Sequence, residues 1–183
     1  MRIITGKARG LKLLTPKDYN VRPTADRVKE SLFNIINNRL PGAKVLDAFA
    51  GTGNLGLEAW SRGAEQITFV DQSATSLKLV AANIAKCRAE ESCQVLRGNV
   101  ITLLSRLGAT GEQFDIIFSD PPYNHGWNAQ LVEGLLHIPL LKPGGLLVLE
   151  YSNKETLPEL PAEFTEIRTQ KYGETFISLI IWK

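Results

Sequence analysis

Asp120-Pro121-Pro122-Tyr123 follows directly on the apolar run Ile116-Ile117-Phe118. A run of that kind reads as a buried strand, and ligands of parallel α/β sheets gather beyond the carboxyl ends of such strands. Two prolines fix φ and hold the residues before them extended, so the loop is stiff. The Asp120 carboxylate and the Pro121 carbonyl then make a rigid pair of acceptors, and Tyr123 adds a flat face. Acceptors that hold N–H groups beside a ring that stacks suit an exocyclic amino group on a planar base. The plain alternative is a proline-rich turn with an incidental aspartate.

A second cluster lies upstream, in Leu46-Asp47-Ala48-Phe49-Ala50-Gly51-Thr52-Gly53-Asn54-Leu55-Gly56. Gly51, Gly53 and Gly56 form a G-x-G-x-x-G between an apolar run and a helical pattern, the context in which this motif binds nucleotides. Without β-carbons the turn stays tight and a ligand can approach the backbone. Asp71 ends the next apolar run, twenty residues after Gly51, where a carboxylate accepts hydrogen bonds from ribose hydroxyls. Asp47, four residues before the first glycine, decides between nucleotides. Its charge would repel the pyrophosphate of a dinucleotide, which seeks helix N–H groups, but it suits a ligand carrying an amino cation. S-adenosylmethionine has an ammonium, a sulfonium, a ribose and no phosphate, so the charge pattern favours it over NAD.

The net charge of +2 is unevenly spread. Residues 1–30 hold eight basic and three acidic side chains, a surplus of +5, and the other 153 residues carry −3. That asymmetry suggests a basic arm on a mildly acidic body, with a merely solvated segment as the alternative. Cys87 and Cys93 make neither a disulfide framework nor a metal-ligand spacing. No apolar run approaches the roughly 20 residues of a membrane span. Charges stand where a secretion signal needs an apolar stretch, so the chain is expected to be cytoplasmic. With 183 residues, a single core suffices.

The elements that must position these residues alternate. Strand-like runs at 44–49, 66–71, 94–98, 114–120 and 145–151 are separated by helical patterns near 54–62, 73–89, 99–107 and 127–137. Such alternation predicts an α/β fold, a mostly parallel sheet covered on both faces. Runs at 164–171 and 175–182 have hairpin spacing, which predicts an antiparallel strand at the C-terminal end of the sheet. Upstream, 2–5 and 11–15 flank Gly6-Lys7-Ala8-Arg9-Gly10 and predict a β-hairpin appendage. Thr24 is the expected N-cap of a helix over about 25–39.

Taken together, the motifs resemble amino-group methyltransferases bearing (D/N)PP(Y/F/W), and the chain as a whole resembles bacterial 16S ribosomal RNA guanine-N2 methyltransferases of the RsmD type. The residues that carry the likeness are Arg2–Gly10, Arg22–Asn34, Asp47–Gly53 with Leu55–Ala59, and Asp120–Tyr123. The glycine motif and Asp120–Tyr123 occur in many methyltransferases; the N-terminal blocks are the family-specific part. The resemblance implies a Rossmann-like, S-adenosylmethionine-dependent methyltransferase domain over 23–183, with 1–22 as a basic RNA-contacting extension. It implies Asp120, Pro121, Pro122 and Tyr123 as catalytic residues, and 16S rRNA, free or in the small subunit, as partner. Membrane and metal are not expected. The candidate cofactor contacts are Arg22, Thr24, Asp47, Phe49, Gly51, Gly53, Asp71 and Asn99. Arg22-Pro23-Thr24 would close over the methionine end of the cofactor. Asn99 would lie near the adenine, a role it shares with N-capping or turn formation. Arg2, Lys7, Arg9, Lys12 and Arg27 are the candidate RNA contacts.

Three alternatives stand beside this one: an amino-group methyltransferase for adenine N6 or a protein glutamine, an NAD-dependent oxidoreductase, and a non-catalytic RNA-binding module. His125 reads as loop solvation or a phosphate contact, and His137 as a partner of a helix C-terminus. Trp127 reads as core or stacking platform, while Trp60 and Trp182 read as packing.

Overall fold

The computed structural model describes residues 1–16, 23–157 and 159–183, with the side chains of 23–25 excepted. Arg22 lies outside the described residues, as does the side chain of Thr24. In chain order the elements are α1 (Pro23–Ile35), β1 (Lys44–Asp47), α2 (Asn54–Ser61), β2 (Gln66–Asp71), α3 (Ala74–Cys87) and β3 (Cys93–Arg97). They continue with α4 (Val100–Ala109), β4 (Phe114–Ser119), α5 (Trp127–His137), β5 (Leu141–Ser152), β6 (Phe164–Tyr172) and β7 (Thr175–Trp182). The described strands form one sheet in the order β3-β2-β1-β4-β5-β7-β6. Neighbours from β3 to β5 are parallel, and β7 runs antiparallel to both β5 and β6.

The strand order reverses between β1 and β4, the point where such sheets open a crevice beyond their carboxyl ends. Two apolar layers cover the sheet as expected. Leu32 and Phe33 of α1, Leu57 of α2 and Val80 and Ile84 of α3 fill one; Leu104 and Leu107 of α4 and Leu131 and Leu135 of α5 fill the other. Close approach of α2 to the sheet depends on Gly56, because a β-carbon there would sit 2.3 Å from the Phe69 ring.

Several element boundaries differ from expectation. The first helix begins at Pro23, since proline is well suited to a first helical position, where its missing N–H costs nothing. Thr24 therefore lies inside the first turn and cannot be the N-cap. The helix stops at Ile35, and a short 3-10 turn, Asn37–Arg39, completes the stretch. The C-terminal hairpin forms as expected: among the described strands β7 alone runs against the others, lying inside, while β6 at the edge runs in the direction of β5.

Ladder pairing in the N-terminal hairpin is reduced to one bridge, Arg2 with Lys12. Three backbone hydrogen bonds also cross it, from Ile3 N to the Leu11 carbonyl and Gly10 N to the Ile3 carbonyl at 2.9 Å and from Leu13 N to the Met1 carbonyl at 3.2 Å. From one side α2 holds the ribbon. Buried Glu58 accepts the Ile4 and Thr5 amides at 2.7 and 3.1 Å, and the Ser61 carbonyl accepts the Lys7 amide at 2.8 Å. Gly6 packs so closely on the Ser61 carbonyl that any β-carbon would clash. Ile3 and Leu13 reach the core.

Candidate active site

Four adjacent strands end side by side, and each delivers a carboxylate to the same rim: Asp71 from β2, Asp47 from β1, Asp120 just past β4, and Glu150 near the end of β5. They border a crevice of two adjoining lobes, of about 440 and about 740 Å³, which share Phe49, Gly51, Ser76 and Asp120.

The smaller lobe is lined by Asp71, Asn99, Val100, Pro121, Pro122 and Trp127. Asp71 and Asn99 are wired to main-chain amides. Asp71 accepts from Gly51 N at 2.9 Å with one oxygen and from Ser73 N at 2.8 Å with the other. Each oxygen keeps a lone pair for a ligand hydroxyl. Asn99 caps α4, its Oδ1 accepting from Ile101 N at 2.9 Å. Trp127 is half-buried and packs against Phe49 with ring centroids 6.1 Å apart, so it forms a lobe wall. Gly53, at φ 79°, is the left-handed N-cap of α2; it shapes the turn without lining either lobe.

The larger lobe takes in Lys29, Asp47, Tyr123, Glu150 and Thr175. Asp47 is buried and accepts from Gly56 N at 2.9 Å. Burial raises its pKa to about 7; the Gly56 amide works against that rise and Asp71 adds to it. Asp120 makes no side-chain hydrogen bond to the described residues and faces the crevice. Desolvation at the crevice wall, reinforced by the charges of Glu150 and Asp47, holds its pKa above the ordinary carboxylate range. The Tyr123 hydroxyl donates to Glu150 Oε1 at 2.8 Å and lies 3.3 Å from Thr175 Oγ1. Burial raises the pKa of Tyr123, and the Glu150 charge raises it further. Burial likewise raises that of Glu150, against the Tyr123 hydrogen bond. The loop is tied down past Tyr123, where the Asn124 amide donates to Glu155 Oε1 at 2.7 Å. Below it, Asn128 bridges Ser119 at 2.7 Å and the Glu150 carbonyl at 2.9 Å.

The crevice thus brings together Asp47, Phe49, Gly51, Asp71, Asn99 and Asp120–Tyr123. Of the basic residues, Arg9, Lys12 and Arg27 are exposed. Arg2 pairs with Asp26 at 3.5 Å, and Lys7 lies 3.9 Å over the Trp60 ring. His125 and His137 are exposed. His137 ends α5, 3.2 Å from Glu133. Trp182 packs edge-on against Phe164.

Sequence reading passed over Glu150, Lys29 and Glu58. Glu150 carried a signal: it follows the apolar run Leu146–Leu149 as Asp120 follows Ile116–Ser119. Lys29 and Glu58 carried none, because a buried ion pair looks in sequence like two surface charges. Lys29 Nζ donates to the Arg2 carbonyl at 2.5 Å and to Asn54 Oδ1 at 2.7 Å, and lies 3.1 Å from Glu58. Burial lowers the Lys29 pKa, with Glu58 opposing. This pair joins the ribbon, α1 and the start of α2. Among the described residues no His, Cys, Asp and Glu group could hold a metal ion, and no helix is long and apolar enough to cross a membrane.

Comparison with known proteins places the whole chain among relatives. A family model described as Conserved hypothetical protein 95 matches residues 1–181. The chain is 34% identical to the putative rRNA methyltransferase YlbH of Bacillus subtilis, covering 98% of this chain and 97% of that one. It is 35% identical to the ribosomal RNA small subunit methyltransferase D of Haemophilus influenzae, over 94% of this chain and 89% of that one. A solved Escherichia coli structure, the putative methyltransferase yhhF, superposes with a TM-score of 0.89 at 32% identity, covering 100% of this chain and 98% of that one. Matched along nearly its whole length and carrying the motifs at the expected strand ends, the chain belongs to the Conserved hypothetical protein 95 family, that of the RsmD-type ribosomal RNA methyltransferases.

Proposed function

We propose that the chain transfers a methyl group from S-adenosylmethionine to the exocyclic N2 amino group of a guanine in 16S ribosomal RNA. The observation that carries this reading is the place of Asp120, the acceptor of the Asp120–Tyr123 motif, on the wall common to both lobes. A donor in one lobe and a base in the other would meet at that residue.

The smaller lobe fits the adenosine half of the cofactor. Asp71 keeps acceptor capacity on both oxygens for ribose hydroxyls, and Phe49, Val100 and Trp127 give apolar walls. No cation of the described residues pairs with Asp47, which suits an amino cation. When bound, S-adenosylmethionine supplies an electrophilic methyl on a sulfonium.

The chain's own residues act on the nucleophile. A guanine 2-amino group is weak because its lone pair is delocalised into the ring. Hydrogen bonds from that group to the Asp120 carboxylate and the Pro121 carbonyl turn the lone pair outward, so positioning supplies much of the acceleration. The product amine loses its proton readily, and a strong general base is unnecessary. Unstacking the base costs a few kcal/mol, offset in part by stacking on Tyr123, worth about 1–3 kcal/mol. Arg9, Lys12 and Arg27 are placed on the surface where phosphate contacts would orient the RNA without reading its sequence. Residues 1–22 serve as that RNA-facing extension of a 23–183 methyltransferase domain.

Nucleoside digestion of 16S rRNA from a deletion strain tests the activity. One N2-methylguanosine should be lost and return with the wild-type gene. An unchanged N2-methylguanosine content refutes the proposal, and loss of N6-methyladenosine in its place would move the chemistry to adenine. Assays on purified RNA and on assembled small subunits then tell which form is the substrate.

A further inference from the structure

We propose that Glu150 reads the target base: its carboxylate accepts the ring N1–H beside the amino group that Asp120 holds, and so selects guanine. The inference rests on the guanine-N2 activity proposed above. It starts from register. Ser119 of β4 pairs with Leu149 of β5, so the next residues, Asp120 and Glu150, leave neighbouring strands side by side, and both line the larger lobe.

The two oxygens of Glu150 differ. Oε1 accepts the Tyr123 hydroxyl at 2.8 Å, which fixes the carboxylate's orientation. Oε2 has no hydrogen bond among the described residues and is not sealed in the protein, so it opens to the lobe. Lys29, a cation of that lobe, is already engaged by Glu58, Asn54 and the Arg2 carbonyl. Two adjacent carboxylates directed at one space form a costly arrangement unless the ligand brings adjacent donors. Guanine does so, with N1–H and the 2-amino group on one edge. Adenine offers a bare N1 acceptor there, which an ionised carboxylate repels. Tyr123, tethered to the same carboxylate, would set the stacking plane and the edge-reading group as one unit.

A purely structural Glu150 would anchor Tyr123 and nothing more. The probe that separates the two roles is 2-aminopurine riboside, which keeps the 2-amino group but has an acceptor at N1. It is placed by ligation in 16S rRNA at the guanine mapped in the deletion strain. Wild-type enzyme should prefer guanosine by about 100-fold or more in kcat/KM, since sites built around a hydrogen bond reject analogues that cannot make it. Glu150→Gln, which can offer an N–H or a carbonyl at the same place and still accepts from Tyr123, should shrink that preference at least about tenfold. Tyr123→Phe, which keeps the ring but frees the carboxylate from its tether, should also shrink the preference, though less than Glu150→Gln does.

A wild-type preference below about tenfold overturns the assignment without any variant, as does a Glu150→Gln ratio equal to wild type. Failure of the wild-type enzyme to methylate the guanosine RNA at all overturns the activity itself, and the Glu150 assignment with it.

Discussion

The two lobes of the crevice are built on opposite principles. In the smaller one Asp71 and Asn99 are already committed to backbone amides, Asp71 to Gly51 and Ser73 and Asn99 to Ile101. In the larger one Asp120 has no hydrogen-bond partner among the described residues, and Glu150 uses its carboxylate only for Tyr123. Main-chain amides are fixed by the fold, so they preorganise a site for one invariant ligand. Burial raises the pKa values of both open carboxylates, and the Glu150 charge raises that of Asp120 further; a substrate that supplies donors would relax the arrangement. Asp47 stands between, buried and tied to Gly56 but close to half-ionised at neutral pH.

If this contrast is right, variants in the two lobes should fail differently. Asp120→Ala should have the largest effect, cutting single-turnover methyl transfer on saturating RNA by at least about 100-fold, as loss of a preorganised polar group at a reacting centre does. S-adenosylmethionine affinity should stay within a few-fold. Thermal stability at pH 7 should hold or rise, because a carboxylate whose pKa is raised on folding opposes folding when ionised. Near-wild-type turnover would remove Asp120 from the chemistry.

Asp71→Ala should do the reverse. Calorimetry should show S-adenosylmethionine binding weakened by roughly 2–4 kcal/mol, from lost charge-assisted hydrogen bonds of about 1.5–3 kcal/mol each that add only in part. Turnover at saturating cofactor should fall less than affinity. Unchanged binding would place the ribose contact elsewhere.

Asp47 sharpens the comparison through pH. Its folded pKa of about 7 lies above the ordinary 3.8, so the carboxyl carries a proton below pH 7 and cannot pair with an amino cation. Cofactor affinity should therefore fall as pH drops below about 7, by at most about tenfold per pH unit, with proton release on binding. Asp47→Asn should flatten this dependence. The same shift makes the group's effect on stability run the other way, stability declining as pH rises from about 4 to 7. A wild-type affinity flat from pH 5.5 to 8 would count against the Asp47 contact.

The smallest effect on the crevice is expected from the ribbon's exposed charges. Replacing Lys7, Arg9 and Lys12 with alanine should leave cofactor affinity within about twofold and stability within about 0.5 kcal/mol per site. Lys7 can cost somewhat more, since its ammonium lies over Trp60. Filter binding across a salt series should show the slope of log K against log salt falling by about 2–3 units. A slope equal to wild type would assign RNA to another surface.

The sequence by itself determined the sheet, the glycine turn and the placing of Asp47, Asp71 and Asp120 at strand ends. Each depends on local properties: apolar runs of strand length, helical spacing between them, and glycine and proline at turns. A carboxylate just after a buried strand must emerge at the carboxyl edge wherever that strand lies. Tertiary structure alone decided the rest. Lys29 and Glu58 are 29 residues apart in sequence and are joined only because α1 and α2 cover the same face. The ribbon folds onto α2 through Glu58 and Ser61, contacts with no periodicity to announce them. Glu150 reaches Tyr123 because β5 pairs in register with β4, Ser119 beside Leu149, a juxtaposition of segments about thirty residues apart that neither announces alone.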